Sequence, residues 1–361
     1  MSEPYLGVFR NRSVFVTGHT GFVGSWLTLA LLACGAQVTG YSLDPPTQPN
    51  LFSQVGIGTR IRDIRADVLD RQRLRRELIA ASPEMVFHLA AQPIVRAAIV
   101  DPVLTFETNI IGTVNLLDTL RNIRSLRAVC VVTSDKCYAL PDSRKALSEQ
   151  DPMGGEDPYS SSKACEEIVA RAFYKTFLEP QGMALATVRA GNIIGGGDWS
   201  EDRIVPDCIR ALTQSRPVRL RNPDSIRPWQ HVLDAVHGCL LLSGALYEHG
   251  SQFAGPWNFG PPPDTSVTVR ELTELVLSEW GSGSYEIHRE ERSVESPYLS
   301  LDSTKSFRLL NWEPIFTLRD AIRQTVLWYR SFYSGSLGAR PPEWWLAQLL
   351  AKAKRAPSRS S

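Results

Sequence analysis

The sequence predicts an α/β protein with a Rossmann doubly wound parallel sheet and a smaller C-terminal lobe. From Ser13 to about Leu185, short apolar runs alternate with amphipathic helical stretches, which is typical of βαβ units. After Arg189 the alternation stops, and proline and glycine become frequent. At 361 residues the chain has room for two domains. We therefore expect a first domain over 11–190, a second lobe over 191–335, and a C-terminal helix with a basic tail over 336–361.

The expected strands are short, mostly apolar and bounded by a glycine, a charge or a proline. They span Val14–Thr17, Gln37–Tyr41, Met85–Leu89, Ala128–Thr133 and Ala184–Arg189. The helices expected between them span Gly24–Ala33, Arg71–Ala81, Thr105–Ile123 and Tyr159–Phe177. Those expected in the second lobe span Ile204–Gln214, His231–Tyr247, Thr268–Trp280 and Leu318–Tyr333.

Composition excludes several classes of protein. The charges nearly balance, with 39 basic and 38 acidic residues, which argues against nucleic-acid binding. The first residues lack the order of a signal peptide, and no apolar run approaches the roughly 18–20 residues of a membrane span. Six cysteines are scattered without a CxxC pair, and the histidines show no metal-ligand spacing. We expect a soluble cytoplasmic protein with reduced, mostly buried thiols and no metal.

A glycine-rich turn follows the first expected strand. The segment Val16–Leu27 has glycines at the GxxGxxG spacing, which lets a helix N-terminus meet a pyrophosphate without an obstructing Cβ atom. The candidate cofactor residues of this turn are Gly18, Thr20, Gly21, Phe22, Val23 and Gly24.

Later segments add to the predicted dinucleotide site. A carboxylate at the end of a third strand, near Ala66–Val68, can accept from an adenine amino group. Small residues at the end of the fourth strand, Met85–Leu89, leave room for the cofactor. The residues concerned are Asp67, Val68, Leu89, Ala90, Ala91, Gln92 and Asn109. Asp44 is the candidate ribose ligand, although it falls slightly late after the second strand. No arginine or lysine lies between Arg12 and Arg60 to bind a 2′-phosphate, which favours NAD over NADP.

A catalytic set follows the expected strand at Ala128–Thr133. Thr133 and Ser134 end that strand, and Tyr159 and Lys163 lie four positions apart on one helical face. The pKa of an ordinary tyrosine is about 10, so it is a poor base at neutral pH. A nearby ammonium and a positively charged nicotinamide favour the phenolate and make the tyrosine a base. Lys163 supplies the ammonium and can hold the nicotinamide ribose, while Ser134 can hydrogen-bond the reacting oxygen.

In this order of motifs the chain resembles the extended short-chain dehydrogenase/reductases over nearly its whole length. More narrowly, it is similar to the nucleotide-sugar 4,6-dehydratases, and within them to the enzymes of CDP-glucose. The segments that carry this resemblance are Gly18–Leu27, Ser134–Tyr138, Asp157–Lys163, Arg189–Trp199 and Arg221–Val232. The deciding pair is Asp135-Lys136, since the dTDP-glucose enzymes carry Asp-Glu there.

The resemblance implies NAD-dependent oxidation of the hexose at C4, loss of water from C5 and C6, and hydride return to C6. Tyr159 would be the base for the C4 hydroxyl, Lys136 the base at C5 and Asp135 the acid at the C6 hydroxyl. Both Asp135 and Lys136 need shifted pKa values for these roles.

The resemblance also assigns the second lobe to the nucleotide diphosphate. Its candidate substrate contacts are Asn192, Arg203, Ile204, Val205, Arg221, Arg227 and Tyr298. A guanidinium fork such as that of Arg227 suits phosphate oxygens. Trp199 and Trp229 fit either a sugar platform or the core.

Other functions stay open on the sequence. A second nucleotide-sugar enzyme of this fold, such as an epimerase or reductase, is weakened by Asp135-Lys136, because C4 epimerisation needs no acid for a leaving hydroxyl. A non-catalytic NAD- or nucleotide-sensing protein is weakened by the intact Ser134, Tyr159 and Lys163. The resemblance further implies a homodimer, with a tetramer open, through the helices at Thr105–Ile123 and after Tyr159. We expect no membrane contact from the C-terminal helix.

Overall fold

The structure is a computed structural model that describes residues 7–140, 145–262, 265–288 and 298–336, with positions 344, 346 and 347. The expected C-terminal helix and basic tail lie almost entirely outside the described residues. Within the described ranges, no helix is both long enough and apolar enough to cross a membrane.

The strands of the first half follow the predicted positions with one addition. They are β1 (Ser13–Thr17), β2 (Gln37–Ser42), β3 (Arg62–Arg65), β4 (Met85–His88), β5 (Ala128–Val132) and β6 (Ala184–Ala190). The later strands are β7 (Ile193–Ile194), β8 (Val218–Leu220), β9 (Ile226–Arg227), β10 (Gln230–His231), β11 (Gly255–Phe259), β12 (Val267–Thr268) and β13 (Tyr285–Ile287).

The helices also match the predicted order. In the first half they are α1 (Phe22–Ala33), α2 (Leu51–Gln54), α3 (Arg71–Ala81), α4 (Val95–Val100), α5 (Pro102–Phe106), α6 (Gly112–Leu120) and α7 (Pro158–Phe173). In the second they are α8 (Ile204–Thr213), α9 (Val232–His249), α10 (Val269–Trp280), α11 (Thr304–Leu310) and α12 (Leu318–Tyr333). The expected helix over Thr105–Ile123 is instead α5 and α6 joined by a π-helical turn at Glu107–Ile111.

The central sheet has seven parallel strands in the order β11-β6-β5-β4-β1-β2-β3, which confirms the predicted doubly wound sheet. Its carboxyl edge carries the ends of β1, β4 and β5 side by side, where ligands bind in open sheets of this kind. The expected catalytic and cofactor segments all leave the sheet at this edge.

Helices cover both faces of the sheet, because the strands are apolar on both sides. Val14 and Val16 of β1 pack in the core beneath α1 and α9, whereas Phe15 points into the core beneath α3 and α6. Helix α9 is buried over Val232–Leu246, since β5, β6 and α1 lie against it.

Two strands of the central sheet have no bounds among the expected strands. β3 (Arg62–Arg65) is polar and lies at the sheet edge, so no apolar run marks it. β11 contains a proline, Pro256, and it pairs with β6 at the opposite edge, from a part of the chain assigned to the second lobe. The central sheet therefore includes residues from both sides of position 190, and the domain division stays a prediction.

Three short two-stranded sheets lie in the described chain after position 190. β7 pairs with β10, β8 with β13, and β9 with β12. These pairs hold the segments around Asn192 and Arg227 beside the carboxyl edge of the central sheet.

Candidate active site

The glycine turn between β1 and α1 is closely packed. Gly18 has a φ of +74°, and a Cβ atom there would lie 2.6 Å from the Ala90 nitrogen. A Cβ atom on Gly24 would lie 2.1 Å from the Gly18 carbonyl oxygen. Gly21 is the N-cap of α1 and supplies no side-chain acceptor to the first turn. Only glycine fits at positions 18 and 24, and the N-terminus of α1 that follows suits a pyrophosphate.

The end of β2 is tied to this turn. The Thr20 hydroxyl hydrogen-bonds the Ser42 hydroxyl at 2.8 Å and donates to the Leu43 carbonyl oxygen at 3.0 Å. Asp44 follows with 90% of its side chain exposed, and the Arg65 guanidinium lies 3.6 Å from it. Sequence reasoning missed Arg65 because β3 brings it from outside the stretch that was searched for basic residues. Asp44 as the ribose ligand stays a prediction.

The end of β4 is held from two directions. The Asn109 Oδ1 atom accepts from the Gln92 backbone nitrogen at 2.8 Å, and Asn109 Nδ2 donates to the Ser162 hydroxyl at 2.8 Å. Asn109 is fully buried, so it shapes the Leu89–Gln92 segment by linking it to α7. Asp67 accepts from the Leu69 backbone nitrogen at 2.9 Å.

Val68 and the remaining residues of the predicted dinucleotide site line the same edge. Val68 packs tightly against Gly112: a Cβ atom added to Gly112 would lie 2.7 Å from Val68 Cγ2. Phe22 and Val23 open α1, while Ala90 and Ala91 are half-buried. Thr133 donates to the Glu167 carboxylate at 2.6 Å.

The start of α7 positions Tyr159. The Asp157 side chain accepts from the Ser160 backbone nitrogen at 3.0 Å as the N-cap, and Pro158 takes the first helical position. Tyr159 therefore lies in the first turn with Lys163 one turn further along the same face. Both are buried, with 7% and 2% exposure. The structure thus brings Ser134, just after β5, together with Tyr159 and Lys163 at the N-terminal end of α7.

The groups around Tyr159 shift its pKa in opposite directions. Burial raises the pKa of the Tyr159 phenol, while the Lys163 ammonium and the Ser134 hydroxyl lower it and the Asp135 carboxyl raises it. A bound positive charge at the nicotinamide position adds to the effect of Lys163 and favours the phenolate.

Glu166 lies beside Lys163, and sequence reasoning missed it. The Glu166 Oε2 atom lies 2.6 Å from Lys163 Nζ, and both side chains are almost wholly buried. The spacing of three positions on a helix was a usable signal, because such residues share a face.

The turn after β5 holds the second candidate pair, Asp135 and Lys136. Ser134 caps this turn by accepting from the Lys136 backbone nitrogen at 3.2 Å, and its hydroxyl donates to Asp135 Oδ1 at 3.1 Å. Asp135 is 4% exposed, and within the described ranges its Oδ2 atom has no hydrogen-bond partner. Burial raises the pKa of Asp135 to about 6, against the opposing effects of Lys136 and Arg227. A carboxyl with such a pKa can donate a proton near neutral pH.

Two of the predicted second-lobe arginines reach this pocket. Arg227 is 3% exposed, donates to the Ile226 carbonyl oxygen at 2.9 Å and acts on the Asp135 carboxyl. Arg203, just before α8, pairs with Asp198 at 3.2 Å and acts on Tyr159.

The other predicted substrate contacts have varied surroundings. Arg221 pairs with Asp202. The Asn192 carbonyl oxygen accepts from the Gln230 backbone nitrogen at 3.0 Å. Tyr298 forms an isolated parallel β-bridge with Ile226 through its backbone. Ile204 and Val205 open α8.

The two tryptophans of the second lobe are largely buried. Trp199 lies 6% exposed among the rings of Trp328, Tyr329 and Phe332. Trp229 is equally buried, and its Nε1 atom donates to the Val267 carbonyl oxygen at 3.3 Å. Both belong to the core.

No group of three or more His, Cys, Asp or Glu residues in the described ranges is arranged to hold a metal ion. His19 pairs instead with Asp63 at 2.9 Å, and His231 caps α9.

The parallel sheet, the glycine turn at its carboxyl edge and the Ser134–Tyr159–Lys163 set together define an extended short-chain dehydrogenase/reductase. The chain belongs to the GDP-mannose 4,6 dehydratase family, whose model matches residues 15–251.

Individual proteins are similar over most of their length. A CDP-glucose 4,6-dehydratase of Salmonella typhimurium strain LT2 is 42% identical over 333 residues, which cover 91% of this chain and 93% of that protein. A dTDP-glucose 4,6-dehydratase of Streptomyces griseus is 28% identical, covering 89% of this chain and 95% of that protein. The crystal structure of a dTDP-glucose 4,6-dehydratase of Streptomyces venezuelae with NAD bound superposes with a TM-score of 0.77 at 27% identity, covering 89% and 98% of the two chains.

Proposed function

We propose that this protein is an NAD-dependent lyase that converts CDP-D-glucose to CDP-4-keto-6-deoxy-D-glucose and water. The observation that carries the proposal is the adjacent pair Asp135 and Lys136 beside Tyr159, with the pKa of the buried Asp135 raised to about 6. The similarity to the Salmonella CDP-glucose enzyme supports the same substrate.

The carboxyl edge of the sheet suits NAD. The glycine turn would meet the pyrophosphate, the small residues Ala90 and Ala91 would leave room for the cofactor, and Lys163 would hold the nicotinamide ribose. When bound, NAD supplies the oxidation at C4 and the matching reduction at C6, so the overall reaction is redox-neutral.

Oxidation at C4 depends on Tyr159. In our proposal its phenolate removes the proton of the C4 hydroxyl, Lys163 stabilises that phenolate, and Ser134 hydrogen-bonds the same oxygen. The resulting C4 ketone acidifies the proton on C5.

Elimination depends on the turn after β5. Lys136 removes the C5 proton, and Asp135 donates a proton to the C6 hydroxyl, which leaves as water. The C5=C6 double bond is reduced at C6 while Lys136 returns its proton to C5. Asp135 fits the role of the acid because burial favours its protonated form.

The nucleotide diphosphate is assigned to the second lobe. Arg227 is the expected diphosphate ligand, and its burial beside Asp135 supports a position between the phosphates and the reacting sugar. The other expected contacts are Asn192, Arg203, Ile204, Val205, Arg221 and Tyr298.

The test is to incubate the purified protein with NAD and, separately, CDP-glucose, dTDP-glucose, UDP-glucose and GDP-mannose, and to measure water loss by mass spectrometry. We expect loss from CDP-glucose alone. Loss from another sugar would retain the mechanism and contradict the nucleotide. Conversion without loss of water would point to an epimerase or reductase, and binding without turnover to a sensor.

We further infer that the protein works as a homodimer. The helices expected at the interface and their neighbours expose several apolar side chains, namely Ile99, Val100, Val103, Leu104, Ile111 and Ile168. A second copy of the chain would cover them. Sedimentation of the Val103→Glu/Ile168→Glu variant should give a monomer where the wild type gives a dimer, and an unchanged dimer would contradict this interface.

A further inference from the structure

Lys163 lies in an environment that disfavours its charge. The side chain is 3% exposed, and the nearest backbone acceptor, the Val132 carbonyl oxygen, is 3.5 Å from Nζ, at the limit of a hydrogen bond. A fully buried lysine without a partner has a pKa as much as about 3–5 units below normal, which is close to neutral pH. A neutral Lys163 could not favour the Tyr159 phenolate.

Glu166 changes this balance. Its carboxylate lies 2.6 Å from Lys163 Nζ and is itself 1% exposed, so water screens the attraction little. Burial is the largest single influence and lowers the pKa of Lys163, but the Glu166 carboxylate, together with Tyr159 and Glu167, raises that pKa above its ordinary value.

A chain of buried hydroxyl and imidazole groups orients Glu166 from the far side. The Thr113 hydroxyl lies 3.1 Å from Glu166 Oε1, and His88 Nε2 lies 3.0 Å from the same hydroxyl. His88 Nδ1 is 2.6 Å from the Thr17 hydroxyl, which already accepts from the Leu89 and Ala90 nitrogens.

The donors along this chain can be assigned in order. Because Thr17 Oγ1 accepts from two backbone groups, its proton goes to His88 Nδ1, and His88 therefore donates through Nε2 to Thr113. Burial and the nearby Lys163 lower the pKa of His88 to about 3, so it stays neutral and adds no charge. The Thr113 hydroxyl donates its single proton to the Asn109 carbonyl oxygen at 2.6 Å and shares it with Glu166 Oε1 at 3.1 Å.

Tyr159 and Glu167 also act on Lys163, whereas Asp135 and Arg203 act on Tyr159. Tyr159 and Glu167 lie on α7, Asp135 follows β5, and Arg203 precedes α8. Glu167 is already neutralised by Arg189 of β6 through two hydrogen bonds of 2.9 and 2.8 Å. The carboxylate that forms an ion pair with Lys163 is that of Glu166.

We infer that Glu166 is the counter-ion that keeps Lys163 charged and in place, and that it acts on the reaction through Lys163 as a positioning residue. The inference rests on the proposed function for its effect on catalysis. Its effect on the charge of Lys163 can be measured without substrate.

The test compares three variants with the wild type. Glu166→Gln removes the charge and keeps the shape, whereas Glu166→Asp keeps the charge. Glu84→Gln is the control for the loss of an ion-paired glutamate away from the site: Glu84 lies 3.0 Å from Arg12 at the opposite edge of the sheet, and both side chains are partly exposed.

The first measurement is the free energy of unfolding of the ligand-free proteins between about pH 7 and 9. In Glu166→Gln the folded Lys163 has lost its proton while the unfolded one retains it, so stability relative to the wild type rises with pH. In the wild type, Lys163 is protonated in both states over this range, and it contributes no slope. Glu166→Asp and Glu84→Gln should follow the wild type. A Glu166→Gln protein with the pH dependence of the wild type would overturn the inference.

The second measurement is the dissociation constant of NAD by calorimetry, together with the rate of water loss, between about pH 6 and 8. In Glu166→Gln we expect NAD binding to weaken and the rate to fall by about tenfold or more as pH rises and Lys163 becomes neutral. Glu166→Asp should restore the wild-type profile. Profiles of the same shape in all four proteins would refute the role of Glu166.

A third measurement covers the case in which Glu166→Gln does not fold. The ε-carbon NMR signal of Lys163, assigned with Lys163→Arg, should stay that of an ammonium up to about pH 9 in the wild type. A titration near neutral pH would overturn the inference. If the wild type releases no water from any nucleotide sugar, the proposed function fails, while the stability and NMR results still decide the role of Glu166.

Discussion

Two neighbouring regions of the site each bury a carboxylate beside a lysine, but they differ in how the carboxylate is paired. In the turn Ser134–Cys137, Asp135 is followed by Lys136, and one carboxylate oxygen has no hydrogen-bond partner in the described ranges. On α7, Glu166 forms a direct ion pair with Lys163 at 2.6 Å. Both acids are at most 4% exposed, so burial does not distinguish them.

The difference lies in the partners. Asp135 has the charges of Lys136 and Arg227 near it and no direct ion pair with any residue that the structure describes, and burial raises its pKa to about 6, within reach of proton transfer. Burial also raises the pKa of Glu166, but the Lys163 ammonium opposes that rise directly across the ion pair. Burial thus acts in the same direction on both carboxyl groups, and the direct ion pair distinguishes Glu166 from Asp135.

The largest expected effect separates the two regions by chemistry. Lys136→Ala should stop water loss, by about 10²–10⁴-fold, because it removes the proposed C5 base. It should leave substrate-dependent reduction of bound NAD, which depends on Tyr159 and Lys163. Mass spectrometry follows the first and nicotinamide absorbance the second.

Lys175→Ala is the control, because Lys175 is an exposed lysine, 2.8 Å from Glu179 on the surface. If Lys136→Ala releases water at the wild-type rate, the assignment of the base is wrong.

A smaller effect is expected from the free-energy penalty of ionising the buried Asp135 carboxyl. Its folded pKa lies above the ordinary value of 3.8, at about 6, so the folded protein is penalised when the carboxyl ionises. The penalty is absent below about pH 4, grows as pH rises, and reaches about 3 kcal/mol above pH 6. Asp135→Asn should therefore gain stability relative to the wild type by up to that amount between about pH 4 and 7, as measured by urea unfolding. A difference independent of pH would mean that Asp135 is not strained.

The smallest effect tests how Glu166 is oriented. Thr113→Val removes the hydroxyl beside Glu166 and should lower the free energy of unfolding by about 1–2 kcal/mol. Thr119→Val is a matched control on the same helix, because Thr119 also donates to a carbonyl oxygen four residues earlier, that of Asn115. We expect the control to lose less, and equal losses would show that the contact with Glu166 contributes nothing.

Much of the site could be predicted because its signals are local. The glycine turn, the strand-end serine, Asp135-Lys136 and the Tyr159–Lys163 spacing are each set by a few adjacent residues. The alternation of apolar runs predicts the parallel sheet in which they lie, and the structure confirms it. The roles of these residues in catalysis and binding stay predictions.

The tertiary structure alone decided the rest, because it depends on contacts between distant parts of the chain. β3 and β11 take their place by pairing with β2 and β6, since neither has an apolar pattern that marks it as a strand of the sheet. Glu166, Thr113 and His88 come from α7, α6 and β4, and only the packing of those elements joins them into one chain. A sequence determines which local structures can form, whereas the charge of a buried group depends on what the fold places against it.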